Sequence, residues 1–335
     1  MPIDTPDIKV VPRRAYAMWL MVVGSVLISF TGLVIRNMEA ATALHVNFYR
    51  AIAFMAAVLL VMFIRYRRET GHQIIRVGRP GLLAGALLAA AGICVLQAIT
   101  NTTVAATLFI CSAIPFITAA FAWVFLLETP QKSTLITMCV AALGVFIMIS
   151  GGSGSGSIYE NLLALMTALC FSGFAVVVRR YRNVEMLPAL LISGAIIVAV
   201  TLPLLWGQLA VPWRDVIWCF MLGGFISALP NVLFIIASRH LVAAELTLFM
   251  LLEFALGPVW VWLFINEIPA RWTLVGGSLV VGSVLFRVML ELRQNRHIQS
   301  WYVSFLGQKG FGEGAQKTIR VKPASAHITI SVICS

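Results

Sequence analysis

Trp123-Val-Phe-Leu-Leu-Glu-Thr-Pro130 closes one long apolar run and opens the next, and the chain repeats it as Trp262-Leu-Phe-Ile-Asn-Glu-Ile-Pro269. Tryptophan, phenylalanine, glutamate and proline return at the same four places, 139 residues further on. A tryptophan one turn before water suits the amphipathic zone of a membrane interface. The glutamate then marks the boundary, and the proline fits the first turn of the following helix. An acid beside a helix N-terminus is also electrostatically favoured. Taken singly, each copy reads as an interfacial cap between two spans. Taken together, Trp123, Glu128, Pro130 and Trp262, Glu267, Pro269 make the chain two related halves.

The wider composition places those halves in lipid. Of 335 residues, 60% are hydrophobic and 11% charged, where a soluble domain carries roughly 25% charged residues. The net charge of +11 comes from 24 Lys and Arg against 13 Asp and Glu. The basic residues cluster between apolar runs, as topology signals do, which excludes a nucleic-acid reading. Six cysteines show no CxxC spacing, and all but Cys334 lie inside apolar runs. They read as small buried side chains rather than a disulfide or metal framework. No metal and no cofactor is expected.

A spanning helix needs about 20 mostly apolar residues, and ten runs approach that length. They are Ala15–Ile35, Leu44–Ile64, Pro80–Thr100, Thr103–Leu127, Ser133–Ser150, Ile158–Val178, Leu187–Trp206, Val216–Ala237, Ala243–Ile265 and Trp272–Leu290. The expected fold is an all-α polytopic membrane protein of ten transmembrane helices. Residues 1–14 form an N-terminal segment, 15–150 the first five-helix half, 151–157 a flexible Gly/Ser linker, 158–290 the second half and 291–335 a tail. Of the 24 basic residues, 20 fall on the side of the N-terminus and only Arg36, Arg214 and Arg271 on the other, with Arg50 inside a run. That bias puts both termini in the cytoplasm and the linker outside. Five crossings per half turn the second half upside down, giving two inverted five-helix repeats. Such repeats are a common plan for secondary transporters, with the cargo held near the midplane between them.

Ten helices in two halves, each ending in a helix–acid–helix unit, resemble the EamA-type branch of the drug/metabolite transporter superfamily. The segment Asn47-Phe-Tyr-Arg50 is similar to that family's second helix, which tends to carry an early arginine. Gly144 and Gly282 stand where a glycine is usual near the end of each repeat. The resemblance spans roughly residues 15 to 290. It implies a carrier in a bacterial-type inner membrane that exports small organic metabolites, amino acids and their relatives being the commonest. Leu187–Trp206 has no counterpart of Arg50, so a role needing symmetric arginines departs from this pattern. Small multidrug pumps of the superfamily use an acid in the first helix, and Ala15–Ile35 has none.

Charged and strongly polar groups inside spans are costly, which makes each a candidate site. Glu253 lies mid-run in Leu251-Leu-Glu-Phe-Ala-Leu-Gly-Pro258. A carboxyl in hydrocarbon favours its protonated form, so Glu253 is the candidate for proton coupling or for a cargo amine; the alternative is a packing hydrogen bond. Arg50 is placed to hold a carboxylate through a forked pair, or to snorkel, or to lock onto Glu39. Glu245, at the start of the ninth run, reads as a capping acid. Pro115 and Pro258 fall in matching helices of the two halves and are expected to bend them, freeing backbone carbonyls. Pro230-Asn231 adds a third break. Asn47, Gln97, Asn101, Asn231 and the deep Trp260 complete the candidate cavity, though a lone amide in a span is more often an interhelical bond.

These features point to a secondary or facilitative transporter of alternating access, monomeric or homodimeric, taking a small-molecule cargo. An importer of a nucleoside-like, sugar-phosphate or cationic solute, or a non-transporting receptor or assembly subunit, are the alternatives. His45, His72, His240, His297 and His327 are scattered, with no H-E-x-x-H and no close carboxylate pair, which argues against an enzyme. No nucleotide-binding loop is present, so ATP does not drive it directly.

Overall fold

Apolar runs that cannot hand their backbone groups to lipid close them internally as helices. The structure, a computed structural model, describes residues 13–101, 107, 110–150, 158–265, 271–308, 317–321 and 328–332. Among them, seven helices are long and apolar enough to cross a membrane: Arg14–Ile35, Ala43–Tyr66, Gly78–Ile99, Asn161–Arg180, Leu187–Leu204, Trp213–Ala237 and Ala243–Phe264. Three shorter apolar helices, Ile114–Leu126, Lys132–Ile147 and Leu274–Leu290, stand at the fourth, fifth and tenth expected runs.

Local sequence explains where these rods break. The first run divides into α1 (Arg13–Ile28) and α2 (Thr31–Arg36). There Ser29 Oγ donates to the Val26 carbonyl at 2.6 Å and Thr31 Oγ1 to the Ile28 carbonyl at 2.6 Å, so hydroxyls compete with the helix ladder. Next come α3 (Ala43–Tyr66), the short α4 (Thr70–Arg76) and α5 (Gly78–Asn101). The fourth run restarts as α6 (Ile114–Leu126), so Pro115 lies in a first turn, where no N–H is needed, instead of mid-helix. α7 (Lys132–Ser150), α8 (Ile158–Arg180) and α9 (Leu187–Leu204) follow.

The eighth run is α10 (Trp213–Met221), a π-helical stretch over Leu222–Ser227, and α11 (Ala228–Ala237). The ninth is α12 (Ala243–Phe249) and α13 (Leu251–Ile265), interrupted at Met250; Pro258 lies within α13. The last helix, α14, runs from Arg271 to Gln308, well past the expected end of the tenth run at Leu290.

The contacts divide the chain into two units, residues 1–288 and 289–335. In the first, α5 packs on α8 and α9, α3 on α9, and α1 on α11. Further, α6 packs on α8 and α12, α3 on α10 and the π-helical stretch, α1 on α13, and α7 on α13. At the α7–α14 crossing, a Cβ on Gly144 would lie 2.7 Å from the Gly276 carbonyl, so only glycine admits that approach, whereas Gly282 has nothing within 4 Å. The second unit holds the end of α14 and an antiparallel ribbon of β1 (Lys317–Val321) and β2 (Ile328–Val332), with Lys317 opposite Val332. β2 alternates apolar and polar residues with period two, and both strands are rich in β-branched residues, which favours this departure from all-helical structure.

Candidate functional site

Arg50 and Asn47 share one face of α3, a helical turn apart, and Arg50 Nη2 donates to Asn47 Oδ1 at 3.3 Å. Asn47 is fully buried. Arg50 Nε and Asn47 Nδ2 are both sealed from solvent without a hydrogen-bond acceptor, and among the described residues no carboxylate pairs with Arg50. Glu39, the partner in the alternative structural-lock reading, is bound instead to Arg214 at 2.7 Å. The helices come close here: a Cβ on Gly223 of the π-helical stretch would lie 2.1 Å from the Arg50 carbonyl, and one on Gly92 of α5 3.2 Å from Arg50 Nη2. π-helical turns inside α-helices gather at functional sites. Two buried donors without acceptors are costly, and a carboxylate is the ligand whose oxygens would fill both.

A second polar group lies between α1 and α11. A small cavity of about 20 Å³, room for roughly one water, is lined by Met21, Ser25, Asn231 and Met250 among others. Asn231 Nδ2 donates to the Ser227 carbonyl at 2.9 Å, so its amide nitrogen is spent within its own helix beside Pro230. Ser25 Oγ donates to the Phe249 carbonyl at 2.8 Å, filling an acceptor at the α12–α13 break. Trp260 Nε1 donates to Ser29 Oγ at 2.7 Å, and its ring stacks on Phe30 with centroids 4.4 Å apart. Trp260 therefore bolts α13 to the break between α1 and α2. A larger apolar groove, with a volume of about 470 Å³, runs past Phe30, Trp218 and Phe264.

Glu253 falls in the first turn of α13. Among the described residues, its carboxylate has no hydrogen bond or ion pair, which leaves it available to a proton or a cargo cation. Gln97 is half-buried on α5. Asn101 ends α5, and the described residues place only the backbones of Asn101 and Pro258. Glu267 and Pro269 of the second repeated stretch lie outside the described residues; Trp262 is exposed on α13, as Trp123 is on α6. Glu128 does more than cap a helix: it accepts from Arg179 Nε at 2.9 Å, while Arg179 Nη1 donates to the Ser238 carbonyl at 2.9 Å.

Glu245 carries the largest surprise. It and Arg287 are each only 1% exposed. Its Oε1 accepts from Arg14 Nη2 at 2.7 Å, Arg287 Nη2 at 2.9 Å and Thr134 Oγ1 at 3.3 Å. Nearby, Arg239 pairs with Glu185 at 2.8 Å, and Tyr66 donates to the same carboxylate. Counting Arg14 and Arg287 as topology signals hides this cluster. One signal was present: Arg287 interrupts an apolar run between Phe286 and Val288, and a charge there needs a partner. No group of three or more His, Cys, Asp or Glu fit for a metal occurs among the described residues.

The comparisons agree with a carrier built on these helices. Residues 15–150 match the EamA-like transporter family. The pseudopaline exporter CntI of Pseudomonas aeruginosa, from strains UCBPP-PA14 and PAO1 alike, is 25% identical over 263 residues, covering 77% of this chain and 92% of its own. One solved crystal structure, 16% identical, superposes with a TM-score of 0.69 over 84% of this chain and 99% of its own, a likeness of fold alone. Over residues 15–150 the chain is thus similar to the EamA-like transporters, and the exporter relative and the apolar helices agree with a membrane transporter.

Proposed function

We propose that the chain is a secondary or facilitative transporter of alternating access, made of inverted repeats over 15–150 and 158–290, that exports small organic metabolites bearing a carboxylate, such as amino acids. One observation supports this reading: among the described residues, the main helix pairings recur when the two halves are exchanged. The α5–α8 pair becomes the α1–α11 pair. In the same way α5–α9 becomes the pairing of α3 with the eighth run, and α6–α8 becomes α1–α13. The α3–α9, α6–α12 and α7–α14 crossings map onto themselves. Random packing of ten rods would not repeat itself in this way, and a pseudo-twofold axis in the membrane plane does so naturally.

Within that frame, Arg50 and Asn47 would receive the cargo carboxylate and Glu253 would supply proton coupling. The relative named as a pseudopaline exporter supports export of an organic metabolite. By the charge bias, the face holding Arg14, Glu128, Glu185 and Glu245 is cytoplasmic.

The decisive assay is uptake into inside-out vesicles holding the purified protein, across a panel of amino acids, other carboxylates and neutral analogues. Saturable, protein-dependent uptake of carboxylates is expected; flux of neutral or cationic solutes only would overturn the cargo assignment, and no flux of any solute would favour a receptor. In the same vesicles Glu253→Gln should flatten the dependence of rate on pH. An unaltered pH profile removes Glu253 from coupling. Tags in the turns after Trp123 and after Trp262 should label from opposite sides of the membrane; labelling from one side removes the inversion.

A further inference from the structure

We propose that Glu245 is the latch of the cytoplasmic face: its release from Arg14 and Arg287 opens the interior to that side. The inference rests on the alternating-access reading above and adds the residue that would hold one of its two states. The four side chains come from four elements. Arg14 on α1 and Thr134 on α7 belong to the first half, and Glu245 on α12 and Arg287 on α14 to the second. A single carboxylate oxygen thus ties the halves together.

Three features make this a latch and not a permanent weld. A seam meant to stay shut is more cheaply built from apolar side chains, since charges taken from water recover their hydration energy only with near-ideal partners. Among the described residues, the three donors all fall on Oε1, while the buried Oε2 has no hydrogen-bond partner. The closed state therefore leaves the carboxylate incompletely compensated, and water entering on opening would restore what is missing. The third feature is mechanical. Glu245 lies on the seven-residue α12, whose last carbonyl, that of Phe249, is held by Ser25 of α1. The next residue, Met250, lines the small cavity with Asn231 and Met21. Movement at the latch reaches the interior through one short rigid segment.

The test reads accessibility, not transport. A Met21→Cys variant, altered at a buried position lining the cavity, is challenged with a membrane-impermeant maleimide added to either face of sealed vesicles, and modification at that position is followed by peptide mass spectrometry. Glu245→Gln keeps the shape and removes the charge. It should speed labelling from the cytoplasmic face by about tenfold, within the range of ordinary conformational coupling, and leave the other face unchanged. Glu245→Asp, which keeps the charge but shortens the reach, should give a smaller rise and carries the test alone if the glutamine variant does not fold. Unchanged labelling in a folded variant, or an equal rise from both faces, overturns the latch. Faster labelling without flux of any solute would leave the latch standing and sink the transport reading.

Discussion

The two faces of the bundle are joined across the halves by different chemistry. On the basic face the ties are half-buried ion pairs, Arg14–Glu245 at 2.7 Å and Arg179–Glu128 at 2.9 Å. On the opposite face a buried carboxylate, Asp215, instead accepts from backbone N–H groups of Glu39, Ala40 and Ala41 at 3.2, 2.9 and 3.0 Å. His45 Nε2 donates to the Gln208 carbonyl at 2.6 Å, and Tyr49 to the Leu209 carbonyl at 2.7 Å. The ion pair here, Arg214–Glu39, is exposed, at 59% and 70% for the two side chains. Side chain against side chain can part and be rehydrated; a carboxylate nested in three amides holds the loop it binds. The contrast teaches that one face is wired for release and the other for shape.

Four substitutions test that contrast. Glu245→Ala strips the counter-ion from buried Arg287 and should lower stability by about 3–5 kcal/mol, the cost of breaking a buried pair; chemical denaturation in detergent measures it, and a loss under 1 kcal/mol would mean that water already reaches the cluster. Asp215→Asn keeps an acceptor but loses the charge, and a smaller loss of about 1–3 kcal/mol is expected. Hydrogen exchange in residues 37–42 should quicken in that variant, with no change around Glu245. Arg50→Lys removes the forked geometry and should weaken binding of carboxylate cargo by about tenfold, equal to about 1.4 kcal/mol, with neutral solutes unaffected. Isothermal titration reads it, and equal losses for both classes would make Arg50 structural. The smallest effect belongs to Glu39→Ala, at most about 1 kcal/mol for an exposed pair; a larger loss would mean that this face too is held by its charges.

Particular residues show how far the chain could be read without its fold. Trp123 and Trp262 are exposed on their helices, a state that lipid-facing and interfacial residues share. Arg50 stands out in sequence as a charge inside a run, and the structure adds its unfilled Nε beside the unfilled Nδ2 of Asn47. Glu245 does not stand out, because an acid in the first turn of a helix looks like a cap. Its partners Arg14 and Arg287 are 231 and 42 residues away, and each looks alone like a topology signal. Pro115 misleads in the other direction: a proline in an apolar run reads as a kink, and here it begins a helix.

By itself the sequence determined that the chain lives in a membrane and roughly where its apolar helices run. Those are sums over neighbouring residues, because burial of apolar length and closure of backbone hydrogen bonds are local demands. Only the tertiary structure decided which charges meet, which donors stay unfilled and where the rods break. A charge's worth depends on what it is packed against, and packing joins residues that the chain keeps far apart.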